Sequence, residues 1–408
     1  IFIKKYLKIM ITSTKKNLII RGIELKQMDL DGGCQASYLG SNLKVFGGIK
    51  GEIVDVEVVS KNIDIICNVI KVIKPDHHRI LNKCAHFLEC SGCQFQHIEY
   101  KKQLEIKKGF IIKTLSSIDN NVEKKIDEVI PSDKKYSYRN HARFSVSKSK
   151  EYVGNSGFIN RWTRKLVNIS KCEIMNEEIN LLREQIKGKL NGMSQFSLRV
   201  AVKKGSYLIQ PAIEKLNILS GQKYYFENFK NRNVRISSPS FFQVNTEQAE
   251  KLGDLISNIA SLSGEETIID AFAGVGTFSL LISKKVKKIY AIESSQSSIE
   301  DAKVNLKNIT NVELIQNEVE NLTEDSFDEK VDIVILDPSR KGVHLNALNW
   351  VSKLLPAQII YVSCNIKSLK NDLSKLKENY EINKIIPIDM FPQTKHVECL
   401  VNLTRVGK

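Results

Sequence analysis

The segment Thr267-Ile-Ile-Asp-Ala-Phe-Ala-Gly274-Val-Gly276 decides the fold. Its β-branched run reads as a strand, and the two glycines give the backbone freedom to turn at once into a helix. The same rhythm repeats outward along the chain. Further strands are predicted at Lys288–Glu293, 312–316, 332–337 and Gln358–Cys364, with helices from about Gly276, up to Ile309, near Leu345 and from Lys367. Two more strands, Ile382 to Met390 and Val397 to Thr404, close the chain. Alternation of this kind predicts a doubly wound, Rossmann-like α/β sheet with an added hairpin. Ligands of such sheets sit outside the carboxyl ends of the strands, so residues at those ends are the ones to inspect.

Three candidates stand there. Gln358-Ile-Ile-Tyr-Val-Ser-Cys364-Asn ends its apolar run on Cys364, Val331-Asp-Ile-Val-Ile-Leu-Asp337 ends on Asp337, and Glu398 interrupts the apolar segment Phe391–Cys399. A lone cysteine capping a strand is most simply a small buried hydrophobe. With two carboxylates expected on the same rim, a nucleophile with acid–base partners becomes the better account. The Gly-rich turn adds a cofactor site. Glu293 follows Gly274 by nineteen residues, the distance at which an acid meets ribose hydroxyls of a nucleoside cofactor. A dinucleotide fingerprint needs a third glycine where Ser279 stands, which favours S-adenosylmethionine over NAD.

The first half of the 408-residue chain has a different character, and its length predicts two or three domains. From Asn17 to Ile73, five short alternating strands with Gly turns suggest a small OB-like barrel. Cys84, Cys90 and Cys93 follow within ten residues, with Cys172 the best candidate for a fourth ligand. Zinc and an iron-sulfur cluster are equally compatible with that spacing. Glu99 to Ser116 reads as an amphipathic helix with Leu104, Ile106, Phe110, Ile111 and Leu115 inward and lysines outward. Net charge is +15, and much of the excess falls between Lys134 and Lys171, where ten Lys and Arg face the single acid Glu151. Tyr136, Tyr138, Phe144, Tyr152, Phe158 and Trp162 are interleaved with them. Cations for phosphates beside aromatic faces for bases suit an RNA partner. The opening Ile1–Ile11 is too broken by lysines for a signal segment, no run reaches the ~18 apolar residues of a spanning helix, and a cytoplasmic protein is expected; translation from a non-standard codon or from Met10 would each fit the start.

Taken together, Cys84-x5-Cys90-Ser-Gly-Cys93-x2-Gln96-His97, Pro239-Ser-Phe-Phe-Gln243-Val-Asn245, Asp270-x-Phe-x-Gly-x-Gly, Asp337-Pro-Ser-Arg-Lys-Gly342, Ser363-Cys-Asn365 and His396-Val-Glu398 resemble the RNA 5-methyluridine (uracil-5-) methyltransferase family. They are most similar to its iron-sulfur branch, which acts on 23S ribosomal RNA. The resemblance implies a TRAM domain over 14–74, a central iron-sulfur and RNA-binding domain over 75–98 and 131–236, and a class I methyltransferase domain over 99–130 and 237–408. It implies a 4Fe-4S cluster on Cys84, Cys90, Cys93 and Cys172, and S-adenosylmethionine held by Gln243, Phe272, Gly274, Glu293 and Asp337. Cys364 would be the nucleophile and Glu398 the base. Ser91 replaces a customary glycine, Thr277 replaces an asparagine of some members, and Asn317 is a candidate adenine neighbour. The expected activity is methylation of uridine carbon 5 in RNA, 23S ribosomal RNA first and the transfer RNA T-loop second. An iron-sulfur RNA-binding protein with a silent methyltransferase domain is the alternative of another class. Neither a membrane nor a stable protein partner is expected.

Overall fold

A computed structural model of the chain describes residues 18–61, 64–147, 155–190, 192–202 and 206–407. The basic opening segment, and Lys148, Lys150, Glu151 and Tyr152 of the basic stretch, lie outside the described residues.

Five strands come first: β1 (Ile19–Glu24), β2 (Cys34–Tyr38), β3 (Ser41–Phe46), β4 (Ile53–Lys61) and β5 (Ile65–Lys74). They form one sheet in the order β1-β4-β5-β3-β2. Beyond β1 the chain runs on to pair with the start of β2, through Lys26 N–H to Gln35 O (2.7 Å) and Asp29 N–H to Gly33 O (2.9 Å). The tight turn between them needs Gly32, at φ +80°, where a Cβ would sit 2.9 Å from Gln94 Cβ.

Helix α1 (Tyr100–Leu115) and a single turn α2 (Val122–Lys125) follow. A second antiparallel sheet contains β6 (His141–Val146), β7 (Ser156–Ile159), β8 (Leu166–Asn168), β9 (Gln195–Val200) and β10 (Tyr207–Gln210), in the order β10-β9-β6-β7-β8. Helix α3 (Glu177–Ile186), N-capped by Asn176, buries Ile179, Leu182 and Ile186 against it. A two-stranded ribbon, β11 (Tyr224–Phe229) with β12 (Arg232–Ser237), leads into α4 (Thr246–Ile259), which is capped by Asn245.

The remaining elements are β13 (Thr267–Ala271), α5 (Thr277–Ile282), β14 (Lys288–Glu293), α6 (Gln296–Asn305), β15 (Val312–Gln316), β16 (Ile333–Leu336), α7 (Leu345–Leu354), β17 (Gln358–Ser363), α8 (Ile366–Leu376), β18 (Tyr380–Ile388) and β19 (Glu398–Arg405). They build a seven-stranded sheet, β15-β14-β13-β16-β17-β19-β18, parallel from β15 to β17 and antiparallel through β19 and β18. Strand order reverses between β13 and β16, and the crevice that opens at such a reversal is the ligand position of this architecture. Every residue of β16 is buried because both faces of the sheet are covered. Val334 and Leu336 pack with α1, α7 and α8, while Ile333 and Ile335 pack with α4, α5 and α6, the alternation a pleated strand imposes.

Helix α1 corrects one expectation. Lys107 is not on the outward face: it is buried with Gln103, Phe110, Ile111 and Leu115, whereas Leu104 and Ile106 are only partly covered. Among the described residues no helix is long and apolar enough to cross a membrane.

Candidate active site

Strand pairing sets the site. Ser363 of β17 lies opposite Cys399 of β19, so Cys364, one residue past the end of β17, emerges beside Glu398, one residue back along β19. Asp337 leaves the end of β16 on the next strand over. Leu336 pairs with Tyr361 and the rim therefore collects all three groups. Their electrostatics agree with that closeness. Burial, then the charges of Glu398 and Asp337, push the Cys364 thiol up to about 11, with Arg340 acting in the opposite direction. Glu398 is driven well above the usual carboxylate range by burial and by Asp337, again opposed by Arg340. Its Oε2 is buried without a hydrogen-bond partner among the described residues, a costly arrangement for a group with only a structural task. Burial and the neighbouring Asp270 raise Asp337 to about 7.

A cavity of about 220 Å³ opens on Cys364 and is walled by Arg340, Lys367, Lys395, His396, Phe110 and Asp31. Glu398 and Asp337 do not line this cavity. Asp31, in the turn that precedes β2, bonds Lys395 Nζ at 2.8 Å, so the N-terminal unit contributes to the rim. Loop 337–343 is anchored by α8: Asn365 Nδ2 donates to Arg340 O (2.8 Å), and Asp372 accepts from Val343 N–H at 2.9 Å.

At the switch point, Glu293 Oε2 accepts from Gly274 N–H at 3.0 Å and its Oε1 accepts from Ser295 N–H at 2.8 Å. Phe272, Glu293 and Asn317 line a cleft of about 180 Å³. Gly276 is left-handed (φ +83°), and a Cβ there would meet Leu306 Cδ1 at 2.9 Å, which explains a glycine that turns tightly against α6. Ser279, which stands where a dinucleotide fold has glycine, donates both its N–H (3.0 Å) and hydroxyl (2.6 Å) to Asp270 Oδ2. Gln243 belongs to the lining of neither this cleft nor the Cys364 cavity, and its recorded contact is a carbonyl accepting from Asn140.

Cys84, Cys90, Cys93 and Cys172 line one cavity of about 350 Å³, joined by Arg139, Arg143 and again Arg340 and His396. Arg183 holds the Cys172 segment by donating to the carbonyls of Ile169 and Ser170. Ser91 has a use that spacing did not reveal: its hydroxyl accepts Arg161 N–H at 2.8 Å and ties the cysteine loop to the second sheet. Cys34, Cys67 and Cys399 are each wholly buried in strands. Among the described residues no three of the four cavity sulfurs lie within 4.8 Å of one another; the tight group of potential ligands is Asp76, His77 and His78, on the surface. A single zinc with ~2.3 Å bonds in a tetrahedron needs sulfurs about 3.8 Å apart.

Of the aromatic residues in the basic stretch, Tyr138 and Phe144 are core and have no face to offer a base, while Trp162 packs on Phe46 (5.3 Å) beneath the Arg161 guanidinium.

The family model described as tRNA (Uracil-5-)-methyltransferase matches residues 214–406. An RNA methyltransferase of Clostridium tetani, itself uncharacterized, is 30% identical and covers 90% of this chain and 93% of its own length. One from Clostridium acetobutylicum is 31% identical with the same coverage. The chain belongs to the RNA uracil-5-methyltransferase family. It is thus an RNA-modifying transferase, and the uracil-5-methyltransferase fold is also seen in a solved relative. The Pyrococcus abyssi tRNA (uracil-54, C5)-methyltransferase, solved with S-adenosyl-L-homocysteine, superposes with a TM-score of 0.74 at 22% identity over 94% of this chain and 99% of that one. Arg340, Asp270 and His396 lay within the quoted motifs without a role assigned to them, and the structure sets Arg340 and His396 in both cavities and Asp270 beside Asp337, while Lys107 supports the loop behind them. Lys107 carried no signal of its burial, since its partner Asp389 lies 282 residues away.

Proposed function

We propose that the protein transfers a methyl group from S-adenosylmethionine to carbon 5 of a uridine in RNA, 23S ribosomal RNA by preference, through a covalent adduct with Cys364. One observation carries this: the thiol and two carboxylates of elevated pKa share the strand-end rim next to the glycine turn. Phe272, Gly274, Glu293 and Asp337 suit the cofactor, since Glu293 already orders the turn that a ribose would approach and Asp337 offers a carboxylate to a cation; Gln243 is retained as a contact on resemblance alone. S-adenosylmethionine supplies an electrophilic methyl on a sulfonium centre. Cys364 gives up its proton to solvent in the open cavity, a loss that Arg340 assists against the opposing carboxylates, and its sulfur adds to carbon 6 to form the S–C6 bond; the electron pair displaced to carbon 5 takes the methyl, whose bond to the sulfonium breaks with release of neutral S-adenosylhomocysteine. Glu398 then removes the carbon 5 proton, the C5–C6 double bond returns, and the sulfur leaves.

Cys84, Cys90, Cys93 and Cys172, four thiols lining one cavity, are assigned to a 4Fe-4S cluster on the resemblance. Its task would be to clamp the loop of the first three cysteines to the segment before α3. The five-stranded N-terminal sheet is assigned as a TRAM-like RNA-binding unit within the three-domain division given above.

A T-loop uridine of transfer RNA is the second target, favoured by the description of the matching family model. Mapping 5-methyluridine in RNA from a deletion strain separates them: loss at a 23S site supports the first, and loss from transfer RNA with ribosomal sites intact supports the second. Unchanged 5-methyluridine in both RNAs would overturn the assignment.

A further inference from the structure

His396 stands at the junction of two cavities, lining both the Cys364 cavity and the larger one beside it. It lies two residues before Glu398, just ahead of the start of β19. Phe391 packs edge-on against its ring at 5.8 Å and fixes the plane. Among the described residues neither ring nitrogen has a hydrogen-bond partner; the backbone N–H alone is engaged, by Thr394. A half-buried imidazole that lines the nucleophile's cavity without a protein partner is free to bond a base that enters it.

Resting on the proposed function, we propose that His396 is a specificity-determining residue that reads the Watson–Crick edge of the target base, its bare ring nitrogen accepting the uracil N3–H. Enzymes that extrude a base read it through that edge. Burial and the surrounding cations Arg340, Lys395, Lys107 and Arg139 hold the imidazole down to about 3, so it is neutral, with one nitrogen accepting and one donating. Uracil presents a donor at N3 and needs no proton there. Cytosine presents a lone pair at N3 and becomes an acceptor for a thiolate only when that nitrogen is protonated, which a neutral imidazole does not do.

The test uses a synthetic RNA hairpin built on the uridine found by mapping, made with uridine or N3-methyluridine at that position. In the native protein the N3-methyl should lower kcat/KM by about 100-fold, since it removes the donor and leaves the imidazole unpaired. In His396→Ala, turnover on plain uridine should fall about tenfold, and the additional penalty of the N3-methyl should shrink to about threefold or less, with S-adenosylmethionine affinity unchanged. An equal N3-methyl penalty in both proteins overturns the role of His396. Nitrogen NMR of the native protein provides the second measurement: one His396 ring nitrogen should shift when a 5-fluorouridine hairpin binds, and an unchanged signal also overturns it. Failure of native protein to methylate the plain uridine hairpin would instead overturn the proposed function.

Discussion

Lys107 Nζ lies 2.6 Å from Asp389 Oδ1, and neither side chain is reached by solvent. The two residues are 282 positions apart, and Lys107 also donates to the Phe391 carbonyl (3.1 Å) while Tyr100 O–H donates to Asp389 Oδ2 (2.9 Å). Helix α1 thereby fixes the start of the loop that carries His396 to Glu398. Removing one member of a buried pair strands the other charge, so Lys107→Met should destabilise by about 3–5 kcal/mol in urea unfolding. Adding Asp389→Asn should recover most of that loss. A single-variant cost below about 1 kcal/mol would mean that the pair does not hold the loop.

Cys364 and Glu398 act at opposite ends of one adduct, so their variants should fail differently. Cys364→Ala should bind RNA and cofactor yet yield neither product nor RNA-linked protein on a denaturing gel. Glu398→Gln should accumulate methylated RNA still attached to the protein, because elimination lacks its base. Turnover of folded Glu398→Gln at the parental rate would transfer the role to another group, Asp337 first.

Asp337 gives a pH dependence whose sign is fixed. Its carboxyl is raised from 3.8 to about 7, so the folded state holds a proton that the unfolded state has released. The stability penalty is absent below the lower value, grows as pH rises toward the upper one and is constant beyond it. Asp337→Asn should therefore unfold later than the parent at pH 8, by about 1–2 kcal/mol after allowance for its partial exposure, with no gain near pH 3.5. Ionised Asp337 also attracts a sulfonium. Preference for S-adenosylmethionine over uncharged S-adenosylhomocysteine should rise about tenfold between pH 5.5 and 8, measured by calorimetry; a flat ratio would remove Asp337 from the cofactor site.

Protein purified without air should be brown and contain about four irons per chain. Cys172→Ser should lower iron content sharply, while Cys67→Ser should not, because Cys67 is sealed in the first sheet opposite Val45 and Val58. Stoichiometric zinc without iron would refute the cluster.

How much was legible followed the range of the interaction. Runs such as Ile333–Leu336 and Ile359–Val362, and the glycine turn after β13, are local patterns of hydrophobicity and backbone freedom, so the strands themselves and the rim positions of Cys364 and Asp337 could be expected from them. The inward face of Lys107 could not, because its partner Asp389 comes 282 residues later and a lysine is ordinarily placed in water. Tyr138 and Phe144 were open to either assignment, since an aromatic residue serves a core or a base equally well by composition.

By itself the sequence determined which residue types were present at strand ends, because local periodicity places them there and the identity of a side chain as thiol or carboxylate is set by the sequence alone. Only the tertiary structure decided their electrical state and company. Pairing of Ser363 with Cys399 sets Glu398 beside Cys364, burial raises both groups, and Arg340 and His396 join the cysteine cavity to the nucleophile's. Desolvation and Coulomb energy depend on distances through space, and those exist only once the distant segments have packed.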